Sequence, residues 1–343
     1  MLPERISQWL HDRTLSNQTI EKFKIGWNGR QIVIPVHDED GNYLFNKYRR
    51  DPHTKNETTP KYQYDYGASV VLFNSQTLKE AKDYETIFIA EGELDCIALE
   101  NIGLRAVTTT GGAGTFDASW AEHFKRFENV IICFDNDLAG VRGAIYAQGV
   151  VPHAKMLFLP AETGKDVTDY LVECGRDAFF KLEPEHYDIP SDLEDTTDKT
   201  AVRKKIREFA KTCDELQQRR REMTAKRIGT IHLDIMIEYA ANRYETYKLM
   251  ERRLVAPAYQ GDRSKVEQAR AVPMPSLIKF NRQKYAPCIA HAEKTASMFY
   301  NDEKSKYPNT VKCFGGCGWM GDPIDVVMHL RGVSFKEAVE ILT

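Results

Sequence analysis

Ile87-Phe88-Ile89-Ala90 runs directly into Glu91-Gly92-Glu93-Leu94-Asp95, and Val130-Ile131-Ile132-Cys133-Phe134 runs directly into Asp135-Asn136-Asp137-Leu138-Ala139-Gly140. A short, continuous apolar run flanked by turn residues is the pattern of a strand buried on both faces. Each run here stops at an acid, and Gly92 lets the first turn sharply into a helix over Glu93–Asn101. Working outward, Ala106-Val107-Thr108 reads as a strand and Gly111-Gly112-Ala113-Gly114 as a loop. A helix follows from about Ser119 to Phe127, another begins near Ala139, and Lys155–Leu159 closes the series as a strand. Strands alternating with helices predict a parallel α/β sheet with right-handed crossovers.

On the N-terminal side, residues 1–25 read as helical, with Ile6, Trp9 and Leu10 at helical spacing. Ile32–Val36 and Tyr43–Tyr48 read as a hairpin turned at Asp40-Gly41. A basic, loop-like stretch follows. On the C-terminal side, the acidic residues 183–200 read as a linker and residues 201–255 as a long charged helical segment. Residues 256–276, with three prolines, read as a second linker, and 277–343 as a compact block. The basic clusters of the helical segment suit a nucleic-acid arm, a partner-docking hairpin or a solvated spacer. The expected spans are thus 1–83, 84–182, 183–200, 201–255, 256–276 and 277–343.

The 343 residues hold 47 Lys+Arg against 50 Asp+Glu, a net charge of −3, so any basic binding surface must be local. Charges throughout the first 15 residues argue against a signal peptide, and no stretch approaches the roughly 20 apolar residues of a membrane helix. A cytoplasmic protein without membrane partners is expected. The pattern G-x-x-x-x-G-K-[ST] is absent, which argues against a P-loop motor.

Glu91, Asp135 and Asp137 stand at strand ends, where open parallel sheets bind ligands. Alternate residues of an extended segment point the same way, so both aspartates can face one side. One acid at a strand end is ordinarily a solvated loop residue; three carboxylates brought together repel unless a cation neutralises them. Hard oxygen ligands suit Mg²⁺ (or Mn²⁺), and such a site suits phosphoryl transfer. Asp95 either supports that metal or complements the start of its helix.

Of seven cysteines, Cys288, Cys313 and Cys317 cluster. Cys288 and His291 are three apart, and Cys313 and Cys317 form a second pair beyond a hairpin expected over Ser297–Asn301 and Val311–Phe314. Two pairs so separated make a closed tetrahedral Zn²⁺ site.

Residues 84–172 resemble the TOPRIM domain of bacterial and phage primases, topoisomerases and some nucleases. The resemblance rests on EGELD (91–95), TTGGAG (109–114), FDNDLAG (134–140) and GKDVTDYL (164–171). It implies a general acid/base or metal-ligand role for Glu91, metal ligation by Asp135 and Asp137, and a phosphate or metal contact at Lys165-Asp166. Residues 26–72 resemble the basic subdomain preceding TOPRIM in primases, which implies nucleotide and template contacts by Lys47, Arg49 and Lys61, with Arg30 and Arg50 behind them. The block Pro287–Thr343 resembles the zinc-binding module of the same DnaG-like primases. It departs in two ways: Cys313 and Cys317 are spaced C-x-x-x-C where the family has C-x-x-C, and the module comes last rather than first. The expected fold is therefore α/β: a TOPRIM core, an N-terminal basic α+β subdomain, a helical middle and a small zinc-ribbon module.

The resemblance implies RNA primer synthesis on single-stranded DNA from ribonucleoside triphosphates, beside a separate replicative helicase. Phe299, Tyr300, Phe314 and Trp319, with Arg282, Lys284, Lys294 and Lys312, are candidates for reading the template. Two other readings are a TOPRIM nuclease and a non-catalytic single-stranded DNA-binding accessory protein.

Overall fold

The computed structural model describes residues 2–54, 60–160, 163–164, 166–190, 198–226, 230–255, 263–290, 296–303, 305, 307–314 and 319–343. Lys165, His291 and Cys317, with Lys294, lie outside them. The chain divides into two compact units: Met1–Ile189 with Leu216–Met236, and Pro190–Glu215 with Ile237–Thr343.

In the first unit, α1 (Glu4–Asp12) and α2 (Asn17–Lys22) precede a four-stranded antiparallel sheet of β1 (Gly26–Trp27), β2 (Gln31–His37), β3 (Tyr43–Arg50) and β4 (Tyr62–Tyr64). Strict alternation in β2 sends Ile32, Ile34 and Val36 into a core shared with Ile6 and Leu10 of α1. Next come β5 (Leu72–Phe73), α3 (Gln76–Glu80), β6 (Thr86–Ala90), α4 (Glu93–Asn101), β7 (Arg105–Thr109), α5 (Ala121–Phe124), β8 (Asn129–Cys133), α6 (Leu138–Val150) and β9 (Lys155–Met156). They build a second sheet of order β5-β7-β6-β8-β9, parallel except at the β5 edge. As expected for an apolar run, β6 is the central strand, and Ile87 to Ala90 are all buried. Helices α7 (Val167–Cys174) and α8 (Arg176–Phe179) follow.

The acidic stretch after residue 182 does more than link. Glu185 bridges Met156 of β9 in antiparallel fashion, and Tyr187 is buried. Two long helices come next, α9 (Lys199–Ala225) and α10 (Ile231–Val255). Their portions in the first unit hold Arg219, which pairs with Glu185, and His232, whose ring stacks on Phe158 at 4.5 Å.

In the second unit, Phe209 of α9 stacks on Tyr247 of α10 at 5.6 Å. Several lysines of α9 pair within the helix, Lys205 with Glu208 and Lys211 with Glu215. The stretch expected to be a linker over 256–276 contains α11 (Arg263–Ala271) and α12 (Met274–Leu277). Ala269 and Met274 are fully buried against the C-terminal block, and Asn309 binds the carbonyls of Arg270 and Val272. Three prolines hid this helix because they flank it rather than interrupt it. The block itself is an antiparallel sheet of β10 (Tyr285–Ala286), β11 (Met298–Asn301), β12 (Thr310–Cys313) and β13 (Met320–Gly321), followed by α13 (Pro323–Arg331) and α14 (Phe335–Leu342). Capping boxes at Asp322/Asp325 and Ser334/Glu337 start the two helices. Among the described residues, no helix is long and apolar enough to cross a membrane.

Candidate active site and zinc-finger block

Register decides where the acids meet. Ala90 of β6 lies opposite Cys133 of β8, so both chains leave the sheet side by side. The Glu91 carboxylate accepts the backbone N–H of Asp135 at 3.0 Å, tying the two strand ends together. Gly140, in the first turn of α6, lies hard against the same point. A Cβ there would sit 2.2 Å from the Asp135 carbonyl oxygen and 2.7 Å from Glu91 Oε2, so only glycine fits. Asp137 is the N-cap of α6, and its Oδ1 accepts from the N–H groups of Ala139 and Gly140 at 2.9 and 3.0 Å. One of its oxygens is therefore engaged by the helix. Among the described residues, no three His, Cys, Asp or Glu side chains already close on one ion position.

Asp95 lies in the first turn of α4. Its Oδ1 accepts the Thr168 hydroxyl at 2.7 Å and the Thr168 N–H at 3.2 Å. Burial, then the nearby Asp166 charge, pushes its carboxyl up to about 7 against the relief of those hydrogen bonds. Asp166 caps α7, accepting the Asp169 N–H at 2.8 Å, and Arg13 stands 3.7 Å from it.

Arg13 was not among the sequence candidates. It ends α1 and stacks over Trp9 at 5.1 Å, while Arg49 of β3 stacks over the same ring at 4.3 Å. Lys61 joins them: partial desolvation, then the charges of Arg49 and Arg13, holds its ammonium below the usual lysine range, and Asp166 and Asp95 oppose that. Burial likewise lowers Arg49. Arg13, Arg49 and Lys61 thus form a cationic cluster beside Asp95 and Asp166. The available signal was the i, i+4 spacing of Trp9 and Arg13, which the helical pattern of α1 made look like ordinary amphipathicity.

Two basic candidates stand elsewhere. Arg30 occupies the exposed turn between β1 and β2. Lys47 lies inside the protein, 5% exposed, with its ammonium 2.5 and 2.7 Å from the Glu93 oxygens. Its place in the alternation of β3 turns it inward, whereas the sequence reading had it facing a nucleotide. Arg50 donates its backbone N–H to the Lys61 carbonyl at 2.9 Å.

In the C-terminal block, Ala286, Met298 and Cys313 are consecutive partners across β10, β11 and β12. Cys288, two residues past the end of β10, therefore comes to the same end of the sheet as Cys313. Both thiols are buried, neither is in a disulfide, and Cys288 Sγ accepts the Ala290 N–H at 3.4 Å. Two buried thiols at one sheet end, one accepting a backbone N–H, suit Zn²⁺ ligation. The row Tyr285–Phe299–Lys312–Met320 runs across the opposite face, with exposed Phe314 at 6.5 Å from Phe299. Of the other aromatic candidates, Trp319 is core, against His329, and Tyr300 stacks on Phe280.

Residues 88–171 match the Toprim-like family, and residues 274–343 match the CHC2 zinc finger. The zinc-finger match thus follows the Toprim-like match along the chain. Over part of its length the chain is similar to bacterial DNA primases. The primase of Legionella pneumophila is 31% identical over 152 residues, which cover 40% of this chain and 25% of that protein. The primase of Clostridium acetobutylicum is 28% identical over 222 residues, 58% of this chain and 35% of that protein. The chain therefore spans about a quarter to a third of the curated relatives it matches. Among solved structures, the Aquifex aeolicus primase zinc-binding and RNA polymerase domains overlay with a TM-score of 0.46 at 18% identity, covering 75% of this chain and 70% of that one.

Proposed function

We propose that this protein is a DNA primase, a DNA-directed RNA polymerase that makes short RNA primers on single-stranded DNA. The observation that carries the reading is the meeting of Glu91 and Asp135 at adjacent parallel strand ends, beside the Arg13, Arg49 and Lys61 cluster. Anionic and cationic halves side by side suit a triphosphate and a hydroxyl nucleophile brought together.

The donor set fits a hard divalent cation. Glu91, Asp135 and Asp137 would hold Mg²⁺ (or Mn²⁺), with Asp95 and Asp166 as further oxygen donors. Such an ion supplies charge stabilisation at the attacking and leaving oxygens. The chain's own residues do the rest. Arg49, Lys61 and Arg13 compensate triphosphate charge, with Lys165 as a further phosphate contact. The bond between the Glu91 carboxylate and the Asp135 N–H keeps the acids from drifting apart under mutual repulsion. The 3′-hydroxyl of the primer, or of the first nucleotide, attacks the incoming α-phosphate, and pyrophosphate leaves.

The C-terminal block is read as the template holder. Cys288, His291, Cys313 and Cys317 ligate Zn²⁺. Phe299 and Phe314, with Lys312 5.5 Å from the Phe314 ring, offer a stacking surface for single-stranded bases. A separate replicative helicase is the expected partner. The test is incubation with ribonucleotides, Mg²⁺ and mixed-sequence single-stranded DNA. Short RNA products that disappear in Asp135→Ala, with DNA binding retained, support the reading. Products unchanged in that variant place the chemistry elsewhere, and DNA binding without any products favours an accessory protein.

A further inference from the structure

Lys47 does not end at solvent. Besides the two Glu93 oxygens, its ammonium donates to the Thr110 carbonyl at 2.8 Å, and the rings of Tyr62 and Tyr64 lie 4.7 and 5.2 Å away. The Tyr64 hydroxyl donates to the same carbonyl at 2.5 Å. Lys47 and Glu93 are 5% and 1% exposed. Burying two charges is expensive, and an apolar pair of similar volume often stabilises a fold as well or better. What the ion pair adds is direction, because each bond fixes one backbone point.

Both points adjoin the acids. Glu93 is the first residue of α4, separated from Glu91 by Gly92 alone. Thr110 leads into Gly111-Gly112, and Ala113 then packs so closely on α6 that a Cβ at Gly143 would sit 2.6 Å from its carbonyl oxygen. The same helix carries Asp137 at its cap and Gly140 against Asp135 and Glu91. One ammonium from β3 thus holds the segment after β6 and the segment after β7.

We propose that Lys47 and Glu93 are positioning residues: their buried pair sets the basic sheet on the acid-bearing strand ends and so fixes Glu91 relative to Asp135. The activity arm of the test rests on the primase reading; the metal-binding arm does not. The informative variant is Lys47→Met with Glu93→Met, which removes both charges and keeps the volume. Its thermal midpoint should stay near that of the wild type. Its Mn²⁺ affinity, measured by titration without nucleotide, should fall about 10–100-fold, as when the partners that orient metal ligands are removed. In primer extension kcat should fall by a similar factor with nucleotide KM little changed.

Glu93→Asp keeps both charges and shortens the tether, and should weaken Mn²⁺ binding in the same direction. It decides the matter if the double variant fails to fold. Folded variants with wild-type Mn²⁺ affinity would overturn the proposal and leave the pair purely structural. A raised KM with unchanged kcat would overturn it in favour of direct nucleotide contact by Lys47. If the wild type makes no primer, the function reading fails, and Mn²⁺ affinity alone still decides the positioning role.

Discussion

Gly140 is the tightest single residue of the site. Its missing side chain lets the first turn of α6 rest on the Asp135 carbonyl and the Glu91 carboxylate. Gly140→Ala should therefore destabilise the first unit by about 1–3 kcal/mol through overpacking, and it should weaken divalent-cation binding because Glu91 must move. Denaturant unfolding and Mn²⁺ titration on the same sample measure both. A variant as stable and as tight as the wild type would mean that α6 slides without consequence. Asp135→Ala is the contrasting change. It removes a half-exposed charge and leaves the packing alone, so synthesis should be lost while the melting profile stays.

Among the elements, the strap over residues 185–187 and the start of α10 make a second kind of prediction. His232 is buried between Phe158 and Tyr187, and Tyr187 donates to Glu185 at 2.6 Å. Burial depresses the imidazole from 6.5 to about 4, Glu185 and Asp234 pull it upward, and Arg219 pushes it further down. The folded state thus favours neutral His232, while the unfolded chain takes up its proton near 6.5. That contribution to stability is complete above pH 6.5 and fades as pH falls toward 4, by up to about 3 kcal/mol. His232→Phe keeps a ring against Phe158 and should flatten this part of the stability–pH curve. Urea midpoints for both proteins between pH 4 and 7.5 measure it, and parallel curves would show that His232 does not carry the acid sensitivity. Of these elements, β6, α4 and β8 were readable from the chain. The strap was read as a linker, because its anchor is one bridge from Glu185 to Met156 rather than a periodic pattern.

At the scale of the whole molecule, the packing of α11 changes where the chain should be divided. A cut near Val272 would strip α11 from the zinc-finger block and uncover Ile324, Val327, Ala338 and Val339, which pack with Ala269. A cut within 256–262 keeps α11, α12 and the block together. The N-terminal piece should extend a preformed RNA primer annealed to DNA, and it should lose de novo initiation or its start-site preference. The C-terminal piece should bind one zinc per chain and restore initiation only weakly in trans, since the tether's effective concentration is gone. Product gels from initiation and extension, run in parallel, read the outcome. Equal initiation without the block would leave its zinc a structural or partner-binding role. Cys313→Ser should release zinc and unfold that block alone.

What the chain order contains is short-range. An apolar run ending in an acid, a glycine after it, and paired zinc-ligand spacings all lie within a few residues, where periodicity and turn chemistry act. That was enough to place Glu91, Asp135 and Asp137 at strand ends and to name an α/β core. The partnerships across distant segments were not available. Lys47 reaches Glu93 over 46 positions, and Arg13 meets Asp166 from the opposite end of the first unit. A lysine in a basic stretch reads the same whether it faces solvent or a buried carboxylate. Only the register of β3 against its neighbours turned Lys47 inward and left Arg49 and Lys61 beside the acids, because which face of a strand is buried is settled by what packs against it.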